Sequence, residues 1–137
     1  MADPAIVSEW LCKADEDYYF ASANLDENSG FYAQICFHFH QAAEKYLKAF
    51  IVAHDLEFVK LHNLIYLLKT CEAKEPSLNE LMGYCETLNT AYIDTRYPVH
   101  WPTNYSPAKA MEMRVAAGEV AKKIKYLLER DMKCVSQ

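Results

Sequence analysis

The chain has 137 residues, of which 52% are hydrophobic and 24% are charged, and its formal net charge is −5. This length fits one domain, expected over residues 1–137 with a core at about 8–131. The composition is rich enough in apolar residues to bury a core, which excludes a disordered polyelectrolyte. The negative charge disfavours broad DNA binding and binding to an anionic membrane.

The charge is unevenly distributed along the chain. Residues 1–30 hold seven acids and one base, whereas residues 107–137 hold seven bases and four acids. Opposite charge at the two ends suits terminal helices that pack side by side or against a second copy. Because the excess acid is concentrated in the first predicted helix, we expect it to lie away from the candidate binding site identified below.

The sequence shows neither a recognisable targeting segment nor a cysteine motif. The first ten residues lack a basic region followed by an apolar run, and no apolar stretch reaches the length of a membrane span. The five cysteines are widely spaced and form no Cys-x-x-Cys pair, so neither a disulfide framework nor a zinc knuckle is indicated. We therefore expect a cytoplasmic protein with buried, reduced thiols.

The first half of the chain predicts two helices. Ser8 is the expected N-cap of the first, whose apolar stripe recurs at a spacing of three and four residues until Asn28-Ser29-Gly30 ends it. The second helix is predicted from about Phe31 to His54, because no glycine or proline interrupts it.

The second half predicts three further helices. The third runs from about His62 to Ala73 after a connection over Leu56–Leu61, with His62-Asn63 capping it or ordering the loop before it. The fourth opens at Pro76-Ser77, with Ser77 and Glu80 at capping-box spacing. A non-helical segment from Asp94 to Tyr105 contains Pro98 and Pro102, and Ser106-Pro107 starts a last helix that reaches about Asp131. The expected fold is all-α, a single-domain antiparallel bundle of about five helices.

One side of the second helix carries hydrogen-bonding and cationic side chains without an acid. Its members recur with helical periodicity and fall within an arc of about 80°; they are Gln34, His38, Gln41, Lys45 and Lys48. The arc suits phosphate binding, and the alternative interpretation is a solvated helix face.

The proline-containing segment is the second candidate region. Arg96 is the only base between residues 76 and 106, and Tyr97, His100, Trp101 and Tyr105 follow it. A guanidinium beside aromatic rings can hold a phosphate while a ring stacks on a base. The alternative is an arginine that anchors the loop to a helix end, with aromatic rings that cover the core.

No metal site or cofactor is predicted. A di-metal helical bundle requires Glu-x-x-His motifs, and none occurs in the sequence. His38 and His40 lie on one helix but point about 200° apart. No motif distinguishes one serine or cysteine as a nucleophile, and there is no glycine-rich phosphate loop.

With these residues identified, the chain resembles the HEPN family, the higher eukaryotes and prokaryotes nucleotide-binding domain. Four fragments occur in the family's order over roughly residues 8–130. They are Trp10 with Ala14 and Asp17, the run Phe39–Ala49, His62-Asn63-Leu64 with Leu67-Leu68, and Tyr92 followed by Thr95-Arg96-Tyr97-Pro98. The resemblance implies a helical up-down bundle, commonly a homodimer, with a role tied to nucleotides or RNA, often beside a minimal nucleotidyltransferase.

The family's nuclease members carry an arginine and a histidine separated by four to six residues. Here Arg96 and His100 are separated by three, and the segment reads Arg-Tyr-Pro, which is similar to the RYP-bearing branch of the family. The resemblance therefore implies a binding role for Arg96 and Tyr97, while Arg96 and His100 remain catalytic candidates without an assigned role.

Three hypotheses follow. The first is a nucleotide- or RNA-binding homodimer that acts with a minimal nucleotidyltransferase in a toxin–antitoxin type system. Its phosphate-binding residues would be His38, Gln41, Lys45, Lys48, Arg96 and Tyr97, with Tyr97 or Trp101 stacking on a base. The second is a metal-independent ribonuclease that uses Arg96 and His100. The third is a non-catalytic structural or interaction module.

Overall fold

The computed structural model describes residues 2–58, 62–96 and 105–135, and for residues 92–96 and 133–135 it describes the backbone alone. Five α-helices and one 3₁₀ helix account for most of this part of the chain, and it contains no strand. The expected all-α bundle is confirmed. In chain order the elements are α1 (Pro4–Asp26), α2 (Tyr32–Ala53), α3 (Leu64–Glu72), the 3₁₀ helix (Pro76–Leu81), α4 (Met82–Arg96) and α5 (Pro107–Val135).

The second helix, α2, is the centre of the bundle, because α1, α3, α4 and α5 all pack against it. Its fully buried side chains include Phe39, Tyr46 and Phe50. Truncating one of these phenylalanines to alanine costs about 3–5 kcal/mol, since the cavity cannot close completely. Charged residues on α2 must therefore lie among apolar neighbours or at the edges of the contacts with other helices.

The start of α1 differs from the prediction. The helix begins at Pro4, with Asp3 as N-cap, and the Asp3 side chain accepts a hydrogen bond from the Ala5 amide at 2.9 Å. The prediction of Ser8 as the cap was wrong, because Asp-Pro at positions 3 and 4 is itself a strong start signal. The predicted stop is confirmed, since α1 ends at Asp26, and Asn28 and Gly30 have φ angles of 52° and 87°.

The capping box expected at Ser77 is also absent. Residues 76–81 form a 3₁₀ helix, and the Ser77 hydroxyl donates to Glu75 Oε1 at 2.8 Å instead of capping an α-helix. The following helix, α4, continues to Arg96, so the expectation of non-helical structure from Asp94 was wrong for residues 94–96. The expected cap of α5 is confirmed by a 3.1 Å hydrogen bond from the Lys109 amide to the Ser106 hydroxyl.

Three cysteines are buried as expected: Cys36, Cys71 and Cys85. Burial raises the pKa of each thiol to about 12, so these sulfurs are unreactive at neutral pH. Cys12 is exposed on α1, which corrects the expectation of buried thiols at that position. Among the helices that the structure describes, none is both long and apolar enough to cross a bilayer.

Candidate functional site

The predicted arc on α2 changes from exposed to buried along its length. Gln34 is exposed, His38, Gln41 and Lys45 are half-buried, and Lys48 is buried. The helix therefore carries these side chains out of solvent and into the bundle toward its C-terminal end. Only the middle of the arc combines accessibility with a fixed position.

A cluster between α1 and α2 holds the middle of the arc in place, and we call it the Asp17 cluster (Asp17, His38 and Lys45). His38 Nδ1 donates to Asp17 Oδ1 at 3.1 Å, and the Lys45 ammonium donates to Asp17 Oδ2. Burial acts to raise the pKa of Asp17, but the hydrogen bonds from His38 and Lys45 outweigh it and leave the pKa below its usual value. One carboxylate therefore orients two cationic or ionisable groups on α2.

The expectation that the acid-rich first helix lies away from the arc was wrong. Helix α1 packs against α2, and the contact places Asp17 beside His38 and Lys45. A second α1 acid, Asp15, accepts hydrogen bonds from the Tyr46 hydroxyl and from Lys125 on α5. The acids of α1 thus neutralise bases of α2 and α5 directly.

A second polar group lies at the contact of α2 with the start of α3, and we call it the Glu44 cluster (His40, Glu44, Lys48 and His62). His40, Glu44 and Lys48 are buried, whereas the His62 side chain is partly exposed. Glu44 Oε2 lies 3.3 Å from the Lys48 ammonium, and Glu44 Oε1 accepts from His62 Nδ1 at 2.7 Å. The Glu44 side chain is 5% exposed and that of Lys48 is 8% exposed. Lys48 is thus enclosed with its counter-ion and is not presented to solvent.

His40 connects this cluster to the entry of α3. Its Nε2 donates to the His62 carbonyl at 3.1 Å, and the Gln41 side-chain amide lies 3.2 Å from its Nδ1. Burial lowers the pKa of His40, although the nearby Glu44 carboxylate acts in the opposite direction. The predicted role of Asn63 as a helix cap is confirmed, because its side chain accepts from the amides of Ile65 and Tyr66.

A groove beside the Asp17 cluster contains residues that the sequence analysis did not assign to a site. It has a volume of about 300 Å³ and is lined by Glu9, Trp10, Lys13 and Lys45. The sequence feature that could have identified them is the helical spacing of Trp10, Lys13 and Asp17, which places these residues on one face of α1.

Aromatic rings continue from the groove toward the Glu44 cluster. The Trp10 and Phe58 ring centroids are 5.7 Å apart, and the Lys48 ammonium lies 5.6 Å from the Phe58 centroid. The groove therefore combines an indole, two lysines and a carboxylate.

Larger grooves lie between α4 and α5. One of about 460 Å³ is lined by both acids and lysines, and its Lys123 is already paired with Glu80 at 3.2 Å. Its exposed rings, Tyr84 and Tyr126, are far more accessible than the aromatic side chains of the core. Its two acids and two lysines balance, so this surface presents no excess positive charge to a phosphate.

The second candidate region lies largely outside the described residues. Arg96 is the last residue of α4, and its side chain is not described. Tyr97, His100 and Trp101 lie outside the described residues. In the described part of the chain, no group of three histidine, cysteine or acidic side chains is arranged to hold a metal ion.

The fold and the charged groups define a class of protein, an all-helical bundle whose central helix carries a polar face. Comparison with protein-family models matches the HEPN domain over residues 7–130. The chain belongs to the HEPN domain family.

A crystal structure of an archaeal HEPN homologue is similar to this fold, with a TM-score of 0.72. The two chains are 23% identical, and the similarity covers 89% of this chain and 97% of the homologue. At this identity the similarity concerns the fold. No curated protein sequence matches the chain significantly.

Proposed function

We propose that this HEPN domain protein binds nucleotides or RNA as a homodimer and acts with a minimal nucleotidyltransferase in a toxin–antitoxin type system. The observation that carries the proposal is the position of Lys45. This lysine is half-buried, oriented by a single carboxylate, and borders a groove that also holds Lys13. His38 and Gln41 flank it on the same side of α2.

The ion pair with Asp17 makes Lys45 a shared cation rather than a free one. A phosphate that approaches the groove must compete with Asp17 for the ammonium, which limits the gain in affinity. A phosphate can replace the partner of Lys13 more easily, because the Lys13 side chain is 58% exposed and its ammonium lies 4.0 Å from Glu16. We therefore expect modest, salt-sensitive binding of a small phosphate ligand, with Arg96 and Tyr97 as further contacts.

The non-catalytic interaction module is the second candidate, and the pairing of both arc lysines favours it. Lys45 bonds to Asp17 and Lys48 to Glu44, which is how a structural polar network satisfies its charges. In that case the arc would stabilise the bundle or contact a second copy.

Titration with ATP and with a short RNA separates these candidates. The Lys45→Ala and Arg96→Ala variants should each bind more weakly than the wild-type protein, with a difference that shrinks at high salt. Lys69→Ala is the matched control, because Lys69 is exposed on α3 and does not line the groove. Unchanged affinity in both test variants would leave the interaction module as the better account.

Two further measurements address the partners and the ribonuclease alternative. Light scattering of the wild-type and Lys45→Glu proteins tests the dimer, and a monomeric variant would assign Lys45 to the interface. Incubation with RNA in the absence of metal tests cleavage. Loss of cleavage in His100→Ala would assign the protein to the ribonucleases, and intact RNA would reject that alternative. Co-purification with a co-expressed minimal nucleotidyltransferase tests the partnership.

A further inference from the structure

The groove between α1 and α2 combines an aromatic ring with two lysines, each of which is paired with an acid of α1. Trp10 lines it, and its indole is braced by the Phe58 ring at a centroid distance of 5.7 Å. An aromatic face beside cations is the arrangement that holds an unpaired base and its phosphate, because every base can stack and every phosphate is anionic. The two features meet in one cavity through Trp10, Lys13 and Lys45.

The groove also contains a carboxylate, Glu9, which repels a plain polyanion. An ionised carboxylate only accepts hydrogen bonds, so a ligand that contacts the exposed Glu9 favourably does so through a donor. In a nucleotide the donors are the sugar hydroxyls and the base amino groups, and acidic side chains bind ribose hydroxyls in other nucleotide sites. A ligand that places a hydroxyl between a base and a phosphate would satisfy Glu9, Trp10 and the lysines together.

The size of the groove limits the ligand. A volume of about 300 Å³ lies at the lower end of the range for small-molecule sites. It suits one nucleotide unit and is too small for a duplex. The net charge of −5 agrees with a local site and disfavours contact along a long polyanion.

We infer that the groove lined by Glu9, Trp10, Lys13 and Lys45 is a subsite for a single ribonucleotide. Trp10 stacks on the base, Lys13 and Lys45 hold the phosphate, and Glu9 accepts a hydrogen bond from the ribose 2′-hydroxyl. This inference rests on the proposed nucleotide or RNA binding, and it names the ligand as ribonucleotide rather than deoxyribonucleotide.

Trp10 provides a direct reporter. The chain has two tryptophans, so the Trp101→Phe protein leaves Trp10 as the source of indole fluorescence. In this background, adenosine monophosphate should quench the emission saturably, and 2′-deoxyadenosine monophosphate should bind about tenfold more weakly, the loss expected for one charge-assisted hydrogen bond. Inorganic phosphate alone should not reach the same quenching.

Two variants test the assigned roles. Glu9→Gln should bring the ribo and deoxy affinities within about twofold of each other, because the amide is a weaker acceptor than the carboxylate. Lys13→Ala should weaken both nucleotides alike, and Lys69→Ala should change neither. Glu9 and Lys13 are exposed, so both variants should fold, which circular dichroism and the melting temperature check.

Equal binding of the ribo and deoxy forms by the Trp101→Phe protein would overturn the inference. So would absence of quenching, and calorimetric titration of both the wild-type and the Trp101→Phe protein with ATP and a short RNA then separates two failures. Heat of binding without Trp10 quenching would place the ligand elsewhere, so that the proposed function stands and this subsite falls. Absence of both signals would reject both proposals.

Discussion

Lys45 and Lys48 lie about one turn apart on α2, yet they occupy opposite environments. The Lys45 side chain is 29% exposed and its partner Asp17 is 15% exposed. Lys48 is 8% exposed, and its partner Glu44 is 5% exposed. In the proposed function, Lys45 exchanges its carboxylate for a ligand phosphate at the surface, whereas Lys48 cannot leave Glu44 without burying an uncompensated charge.

The neighbouring elements create this difference. Helix α1 covers one side of Lys45 and leaves the groove open, while Phe58 lies against the Lys48 ammonium. The same residue type on one face of one helix therefore lies in two different environments. Accessibility, more than sequence spacing, decides which lysine can serve a ligand.

Removing the acid of the buried pair should have the largest effect. The Glu44→Gln variant keeps the shape of the side chain but leaves Lys48 and His62 without their carboxylate. We expect a loss of about 3 kcal/mol in the free energy of unfolding, measured by urea denaturation. The control is Glu86→Gln, an exposed position on α4, where the change should stay within about 0.5 kcal/mol.

A double variant sharpens this test. Glu44→Gln combined with Lys48→Met removes both charges and should recover part of the loss, because no buried charge then remains uncompensated. A double variant that is less stable than Glu44→Gln alone would mean that Lys48 contributes by some means other than its pairing with Glu44.

Asp17→Asn should lower the free energy of unfolding less than Glu44→Gln does, and it should also change ligand binding. The free energy of unfolding should fall by about 1–2 kcal/mol, since His38 and Lys45 lose a partly exposed charged acceptor. Binding of adenosine monophosphate should tighten severalfold, because Lys45 no longer shares its charge with a carboxylate. Asp26→Asn is the control on the same helix, since Asp26 is mostly exposed. Weaker binding by Asp17→Asn would show that orientation of Lys45 matters more than competition.

The helical fold could be predicted well from the sequence, and the pairing of charges could not. The stop at Asn28-Ser29-Gly30 and the cap at Ser106 are local signals, and both are confirmed. The prediction of an arc without acids was correct for the residues of α2 alone. It failed in three dimensions because Asp17 comes from α1, and single-helix periodicity does not show which residues of another helix will face it.

The starts of helices show a related limit. Ser8 and Ser77 have the right residue type for a cap, but Asp3-Pro4 starts α1 earlier and residues 76–81 form a 3₁₀ helix. Trp10 was recognised as a family-like residue but not as a groove residue, because its partners Phe58 and Lys45 are distant in sequence.

The Glu44 cluster should make the stability of the protein depend on pH, through His40. Burial lowers the folded-state pKa of His40, so below about pH 6.5 the unfolded chain binds a proton that the folded protein resists. Stability should therefore fall as the pH decreases from about 7.5 toward 5, by at most about 1.4 kcal/mol per pH unit for this group. Urea denaturation across this range should show a shallower slope for His40→Asn, and parallel slopes would exclude His40 as the source.

A further prediction concerns the reaction rates of the cysteine thiols, which test directly which of them are buried. In the Cys134→Ser protein, Cys12 should react rapidly with a disulfide reagent, whereas Cys36, Cys71 and Cys85 should react only as the fold opens. The reaction is followed by absorbance, with and without urea. More than one fast thiol in the native protein would contradict the buried positions of the other three.

Lysine side-chain NMR tests the contrast between the two lysines most directly. In protein labelled with ¹³C-lysine, Lys13→Arg, Lys45→Arg and Lys48→Arg variants assign the three signals. On saturation with adenosine monophosphate, the Lys13 and Lys45 signals should shift while the Lys48 signal stays in place. A stationary Lys45 signal, or a shift of Lys48 equal to that of Lys45, would contradict the assignment of the ligand to the α1–α2 groove.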